Sequence, residues 1–210
     1  AVRAGETVRG FDSDPESLAR AAERSGLTPS PTLEGCVAGA TVVFVCTPIP
    51  ALSGLVAEVL GLAPDAIVTD VGSVKSQVMA DVAARADPSH LERYIGGHPM
   101  GGSERSGPDH ASASILDGAV WVLCPSDPVP AASVDRLSAW VDKVGARPTP
   151  MDAERHDRLV AMVSHLPQVA STALMGLAAA EEAGEPEILL LAAGGFRDLT
   201  RLAAASPHLW

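Results

Sequence analysis

Aromatic side chains are scarce in this chain: they form 3% of its 210 residues, with a single tyrosine. A core must therefore be filled mainly by alanine, valine and leucine. Cysteine is also sparse. Cys36, Cys46 and Cys124 are odd in number and show no CxxC spacing, which excludes a disulfide framework. Cys46 and Cys124 sit in apolar runs and are expected to be buried free thiols, in keeping with a reducing, cytoplasmic setting. Positive charge is short: 15 Lys and Arg against 26 Asp and Glu leave a net charge of -11. That argues against nucleic acid and against an anionic membrane as partners. We find no continuous apolar run of about 20 residues, so no transmembrane helix is expected. No signal-peptide pattern stands at Ala1. What is present is 47% hydrophobic and 20% charged residues, enough for a real core. The length allows one large domain, or one domain and a smaller second.

Several short apolar runs punctuate the first part of the chain. Residues 7–12 read as a short strand, and 14–24 as a helix with Pro15 in its first turn. Residues 41–46 (TVVFVC), 66–71 (AIVTDV) and 121–124 (WVLC) are apolar on both faces, the mark of buried, mostly parallel strands. Helical stretches at 51–60, 76–86 and 131–144 lie between and after them. Strands alternating with helices give a doubly wound α/β sheet over residues 1–150. After Pro150 the strands stop. Asp152 is a suitable N-cap, and Leu159, Met162, Val163 and Leu166 share one helical face. Pro167 should kink this helix, because it cannot donate to the Val163 carbonyl. Residues 151–210 therefore read as an all-helical segment.

A glycine-rich phosphate loop is missing too. In a dinucleotide-binding fold an acidic residue ending the second strand holds the adenosine ribose, roughly 20 residues after GxGxxG. Asp12 stands at such a strand end, which would place the fingerprint before Ala1. The chain thus reads as a Rossmann-like unit lacking its first strand and loop. A carboxylate at Asp12 would repel a 2′-phosphate, which favours NAD over NADP; Arg3 and Arg9 nearby keep NADP open. Thr47, Pro48, Gly72 and Ser73 follow buried strands at the edge where such sheets bind ligands. Ser73 could also cap the next helix. Lys75 could contact an anionic substrate or merely cover that helix end.

The segment 94–107, YIGGHPMGGSERSG, sets His98 between two glycine pairs. Read as a loop, it strips side chains from around an imidazole, so that a ligand can approach. Histidine titrates near neutral pH and can accept a proton from a substrate hydroxyl. His98 is therefore the candidate catalytic base. His90, His110, His156 and His208 read as structural or solvated. His156-Asp157 resembles half of a metal signature without further ligands, so no metal is expected.

Four segments in order, DVGSVK (70–75), GGHPMGGSERSG (96–107), SHLPQ (164–168) and GGFRDLTRLAAASPHLW (194–210), resemble the prephenate and arogenate dehydrogenase family of tyrosine biosynthesis. The resemblance implies an NAD-dependent oxidative decarboxylation of prephenate to 4-hydroxyphenylpyruvate by a homodimer joined through the helical segment. It implies that His98 takes the proton of the ring hydroxyl and that Ser73 orients both. Arg201 would pair with a substrate carboxylate. Ser103 and Glu104 would shape the pocket rim, Trp210 would approach the partner's site, and His165 would stand behind the substrate contacts. Gln168 replaces the second histidine of SHLPH, which leaves prephenate against arogenate open. Both ends of the chain look clipped relative to the family. A β-hydroxyacid dehydrogenase would place a lysine in its helical domain, and none follows Lys143. A non-catalytic dinucleotide-fold protein is supported by the missing loop alone.

Overall fold

The structure, a computed structural model, describes residues 1–102, 107–182, 184–185 and 187–205. It divides into two compact units, Ala1–His156 and Asp157–Trp210.

The first unit opens on a two-stranded parallel sheet, β1 (Arg9–Gly10) and β2 (Thr28–Pro29). Helix α1 (Pro15–Ser25) connects them. Asp14 caps it by accepting from the Glu16 and Ser17 amides, and Gly26 closes it in the left-handed region at φ 73°. A short α2 (Leu33–Val37) follows, capped by Thr32. Then come β3 (Val42–Val45), α3 (Ile49–Leu62), β4 (Ile67–Asp70), α4 (Ser76–Arg85), β5 (Tyr94–Pro99), β6 (Val120–Pro125), α5 (Ala131–Lys143) and β7 (Arg147–Pro150). Strands β3 to β7 form one sheet in sequence order, and every neighbouring pair is parallel except β5 with β6.

Alternation along the strands feeds two cores. Val68 and Tyr94 point to a valine- and leucine-rich cluster with α3 and α4. Their neighbours Ile67 and Ile95 point to the opposite cluster, with Trp121, Leu123 and the α5 residues Leu137 and Val141. Three of the few aromatics, Phe44, Trp121 and Trp140, gather on that second face; Phe44 and Trp140 lie 4.2 Å apart.

Four elements were not expected from the sequence: β2, α2, β5 and β7. The important one is β5. The glycine-flanked histidine segment begins as a strand, because Gly96 and Gly97 do not turn the chain. Neither has positive φ. A Cβ on Gly97 would lie 2.3 Å from the Asp70 carbonyl oxygen and 2.7 Å from Thr69 Oγ1. These glycines let β5 approach its neighbours; they do not clear space for a ligand. The run at β6 is buried as expected but antiparallel to β5, and among the described residues between the two strands stand two 3₁₀ turns. Cys124 is buried, whereas Cys46 is exposed, because β3 ends at Val45 just before it.

In the second unit, α6 (Ala153–Val160), which starts in the first unit, leads into a π-helical turn (Ala161–His165) and α7 (Leu166–Glu181). The Leu166 amide donates to the Ala161 carbonyl, one residue further back than in an α-helix. This wide turn stands directly before Pro167 and accommodates the proline ring that an α-helix would exclude. Helices α8 (Glu187–Leu190) and α9 (Gly194–Thr200) and a 3₁₀ turn (Arg201–Ala204) complete the described residues. The continuous helix Ala153–Glu181 is long and apolar enough to cross a membrane, by length and composition only. That corrects the expectation drawn from unbroken apolar runs, since scattered polar residues do not lower its average enough.

Gly97→Ala should lower the urea unfolding midpoint by the equivalent of about 1–3 kcal/mol, the usual cost of overpacking. An unchanged midpoint would mean that β4 and β5 do not approach as closely as described.

Candidate active site

Asp70, the last residue of β4, is completely buried. Its Oδ1 accepts from the Gly72 amide at 2.8 Å and pairs with the Lys75 ammonium. Its Oδ2 accepts from the Tyr94 hydroxyl at 2.7 Å and from the Gly97 amide at 3.3 Å. Lys75 Nζ also donates to the Gly97 carbonyl at 2.7 Å. Both polar groups of the Gly97 backbone are thus held by one buried ion pair. Burial first, and then the neighbouring Asp70 carboxylate, push the Tyr94 phenol far above its ordinary range, so it remains a donor. A buried charge is tolerable only when paired and hydrogen-bonded in this way. Lys75 is 0% exposed, which corrects its reading as a substrate contact. It stands at the N-cap position of α4, and its side chain reaches Asp70 and the Gly97 carbonyl instead of covering the helix end.

His98 is the residue after Gly97. Val68 pairs with Tyr94 and Thr69 with Ile95 in parallel register, so His98 lies beyond the paired residues, at the carboxyl end of β5. It pairs with Val122 of β6 on the other side. Its Nδ1 lies 2.8 Å from Nε2 of His156, and the rings meet edge to face at 76°. His156 is 1% exposed. It sits in the first turn of α6, where the Asp152 carboxylate accepts from the Arg155 amide at 2.7 Å. The sequence reading of Asp152 as a cap holds; His156, which reads from the sequence as structural or solvated, is buried against His98. Nothing in the local sequence signals it, since His98 and His156 are 58 residues apart. Among the described residues no group of three or more potential ligands could hold a metal.

Ser73 is half-buried but makes no side-chain hydrogen bond to a described residue, neither capping α4 nor reaching His98. A Cβ on Gly72 would meet Leu52 Cδ2 at 2.7 Å, so that side chain would have to shift. Thr47 and Pro48 follow β3, and Gly72 and Ser73 follow β4, so both pairs leave the same edge of adjacent parallel strands. The Thr47 hydroxyl oxygen is buried there without a hydrogen-bond partner. A polar ligand at this edge would satisfy it, and a dinucleotide fits that requirement. Asp12 is exposed just after β1, and its Oδ1 accepts from the Asp14 amide at 2.8 Å.

In the second unit, Gln168 is buried and its Nε2 donates to the Leu202 carbonyl at 3.0 Å and to Thr172 Oγ1 at 3.3 Å. Ser171 Oγ accepts from the Ala203 amide at 2.9 Å. These bonds tie the turn that begins at Arg201 to α7. Gln168 is therefore a support for that turn, and its amide donor is already engaged. Arg201 itself is exposed. Ser103, Glu104 and Trp210 lie outside the described residues.

Comparison with known proteins adds the following. Residues 2–149 match the nucleotide-binding domain of the prephenate dehydrogenase family, and residues 152–210 match its dimerization domain. A cyclohexadienyl dehydrogenase from Zymomonas mobilis is 34% identical over 181 residues, covering 85% of this chain and 60% of that protein. A prephenate dehydrogenase from Bacillus subtilis is 32% identical over 173 residues, covering 81% and 46% respectively. The chain thus spans between 46% and 60% of these relatives. Among solved structures, Synechocystis arogenate dehydrogenase superposes with a TM-score of 0.82 at 29% identity, over 99% of this chain and 74% of that one. Prephenate dehydrogenase from A. aeolicus, in complex with hydroxyphenyl propionate and NAD+, gives 0.88 at 26% identity, over 100% and 73%.

Lys75→Met should cost about 3–5 kcal/mol of unfolding free energy, because the Asp70 carboxylate is left buried and unpaired. A chemical denaturation curve measures it. Unchanged stability together with a raised KM would instead return Lys75 to the substrate.

Proposed function

Because the chain belongs to the prephenate dehydrogenase family, we propose that it serves the NAD-dependent oxidative decarboxylation of prephenate to 4-hydroxyphenylpyruvate, with His98 as the base. The observation that carries this reading is the placement of His98. It ends a strand anchored through Gly97 to a buried ion pair, at the edge where parallel strands offer a nucleotide site. NAD, when bound, supplies the hydride acceptor for the ring carbon that bears the hydroxyl. His98 holds the hydroxyl and receives its proton as the carbonyl forms. The bond from the ring to its carboxylate breaks, carbon dioxide leaves, its electron pair completes the aromatic ring, and the former carbonyl oxygen takes a proton back to give the phenol.

Other residues take supporting roles. Thr47 would give the cofactor a hydrogen bond, with Pro48 and Gly72 lining the same edge, and Asp12 would hold the ribose and disfavour NADP. Arg201 offers a planar fork for a substrate carboxylate, on a turn that Gln168 and Ser171 hold in place. Ser73, Ser103, Glu104 and Trp210 keep the roles implied by the family resemblance. Arogenate is the second candidate substrate, favoured by the likeness to the Synechocystis arogenate dehydrogenase. It differs in carrying an amino group where prephenate carries a keto group.

The assay supplies the intact protein with prephenate or arogenate and with NAD or NADP, and follows reduced nicotinamide. Turnover with prephenate and NAD is expected, and His98→Asn should lower kcat by about 10²–10⁴-fold, the usual share of a general base. Absence of turnover with every pair would overturn the reading.

The helical unit is also proposed to join two copies. Met162, Val163, Leu166, Val169 and Leu177 are all more than half exposed. Leu174, Leu177, Ile188, Leu191 and Phe196 line an open apolar groove. A surface this apolar marks an interaction site, and the match to a dimerization domain favours a second copy over a lipid bilayer. Sedimentation should report a dimer, and Val169→Glu with Leu177→Glu should yield monomers. A monomeric unsubstituted protein would overturn this assembly.

A further inference from the structure

We infer that His156 is a positioning residue for this reaction: it accepts a hydrogen bond from Nδ1–H of His98 and so keeps the lone pair of His98 on Nε2. The inference rests on the reading of His98 as the base.

A neutral imidazole carries one proton, and the nitrogen that carries it cannot accept another. The 2.8 Å contact between His98 Nδ1 and His156 Nε2 needs one donor and one acceptor. If His98 donates, its Nε2 has a lone pair for the substrate hydroxyl. If His156 donates, His98 carries its proton on Nε2 and cannot act as a base there. Catalysis therefore selects the first arrangement, with the His156 proton on its own Nδ1. The 76° angle between the rings excludes stacking as the reason for the contact.

Burial makes the arrangement specific. His156 is 1% exposed, so it faces His98 from within the protein and water does not replace it as acceptor. It is carried by a helix turn that Asp152 caps, and His98 by a strand that Asp70 and Lys75 hold. Neither ring is presented by a loop. The hydrogen bond also changes during the reaction. Before proton transfer it links two neutral rings. Afterwards its donor is an imidazolium, and charge-assisted hydrogen bonds are roughly twice as strong. The contact therefore favours the state in which His98 has taken the proton over the state in which it has not, and that difference is what accelerates a step.

The test compares His156→Leu with His156→Gln in the intact protein, because the glutamine amide oxygen can stand where Nε2 accepts. Leucine should lower kcat by about 10–100-fold, the loss of one hydrogen bond to a charged group, with KM changed less than about twofold. Glutamine should restore most of that loss. Nitrogen-15 spectra of the histidine rings, recorded on the unsubstituted protein without substrate, should show His98 protonated on Nδ1 and bare on Nε2. Equal losses in both variants, no loss with leucine, or a proton found on His98 Nε2 would each overturn the inference. If His98→Asn abolishes turnover while His156→Leu does not, His98 remains the base and only the role of His156 falls. If His98→Asn leaves turnover intact, the reading of His98 itself fails, and the role of His156 with it.

Discussion

The ion pair between Asp70 and Lys75 is the constraint on which the first unit depends. Its cost is high, since both charges leave water completely. It is offset by the hydrogen bonds around both charges. Asp70 also accepts from Gly72, Tyr94 and Gly97, and Lys75 also donates to the Gly97 carbonyl. The pair thus joins the turn after β4 to the body of β5. A hydrophobic pair of equal volume could fill the space as well, but it could not specify which β5 residue sits opposite the end of β4. Directional bonds to both sides of the Gly97 peptide do that. One residue on, they set where His98 stands.

This explains what the sequence could and could not tell. The doubly wound class was legible, because β3, β4 and β6 are continuous apolar runs and α1, α3, α4 and α5 carry clear caps or spacing. The helical second unit was legible for the same reason. Strand β5 was not. Gly96, Gly97 and Pro99 have low strand propensity, so YIGGHP reads as a loop; only tertiary packing against Asp70, Thr69 and Met79 makes glycine the residue that fits. Lys75 misled in the same way. A lysine at a helix start normally reaches solvent, and nothing in VGSVK announces that this one is buried against Asp70. The site residues were found by resemblance, while the contacts that hold them are long-range. His98 to His156 spans 58 positions and Gln168 to Leu202 spans 34, beyond any local pattern.

The second unit solves a different problem with similar economy. Pro167 interrupts a helix whose apolar surface must remain continuous if a second copy is to cover it. A π turn over Ala161–His165 absorbs the interruption without ending the helix. Immediately after it, Gln168 and Ser171 spend their polar groups on the Leu202 carbonyl and the Ala203 amide. The Gln168 amide donor is therefore already engaged, and moving it would release the turn on which Arg201 begins.

Two devices converge on His98, and they divide the work by chemical type. Asp70 and Lys75 carry full charges, and they act on the backbone one residue away. His156 acts on the ring itself. A carboxylate behind the ring would orient it too, as it does in many acid–base pairs. It would also place a full negative charge beside a site that, under the proposed function, takes an anionic substrate. An imidazole acceptor selects the same tautomer without adding that charge. The chain already carries a net charge of -11. Under the proposed function a dianionic substrate approaching such a protein would meet repulsion at long range, and an imidazole behind His98 adds no carboxylate charge to it.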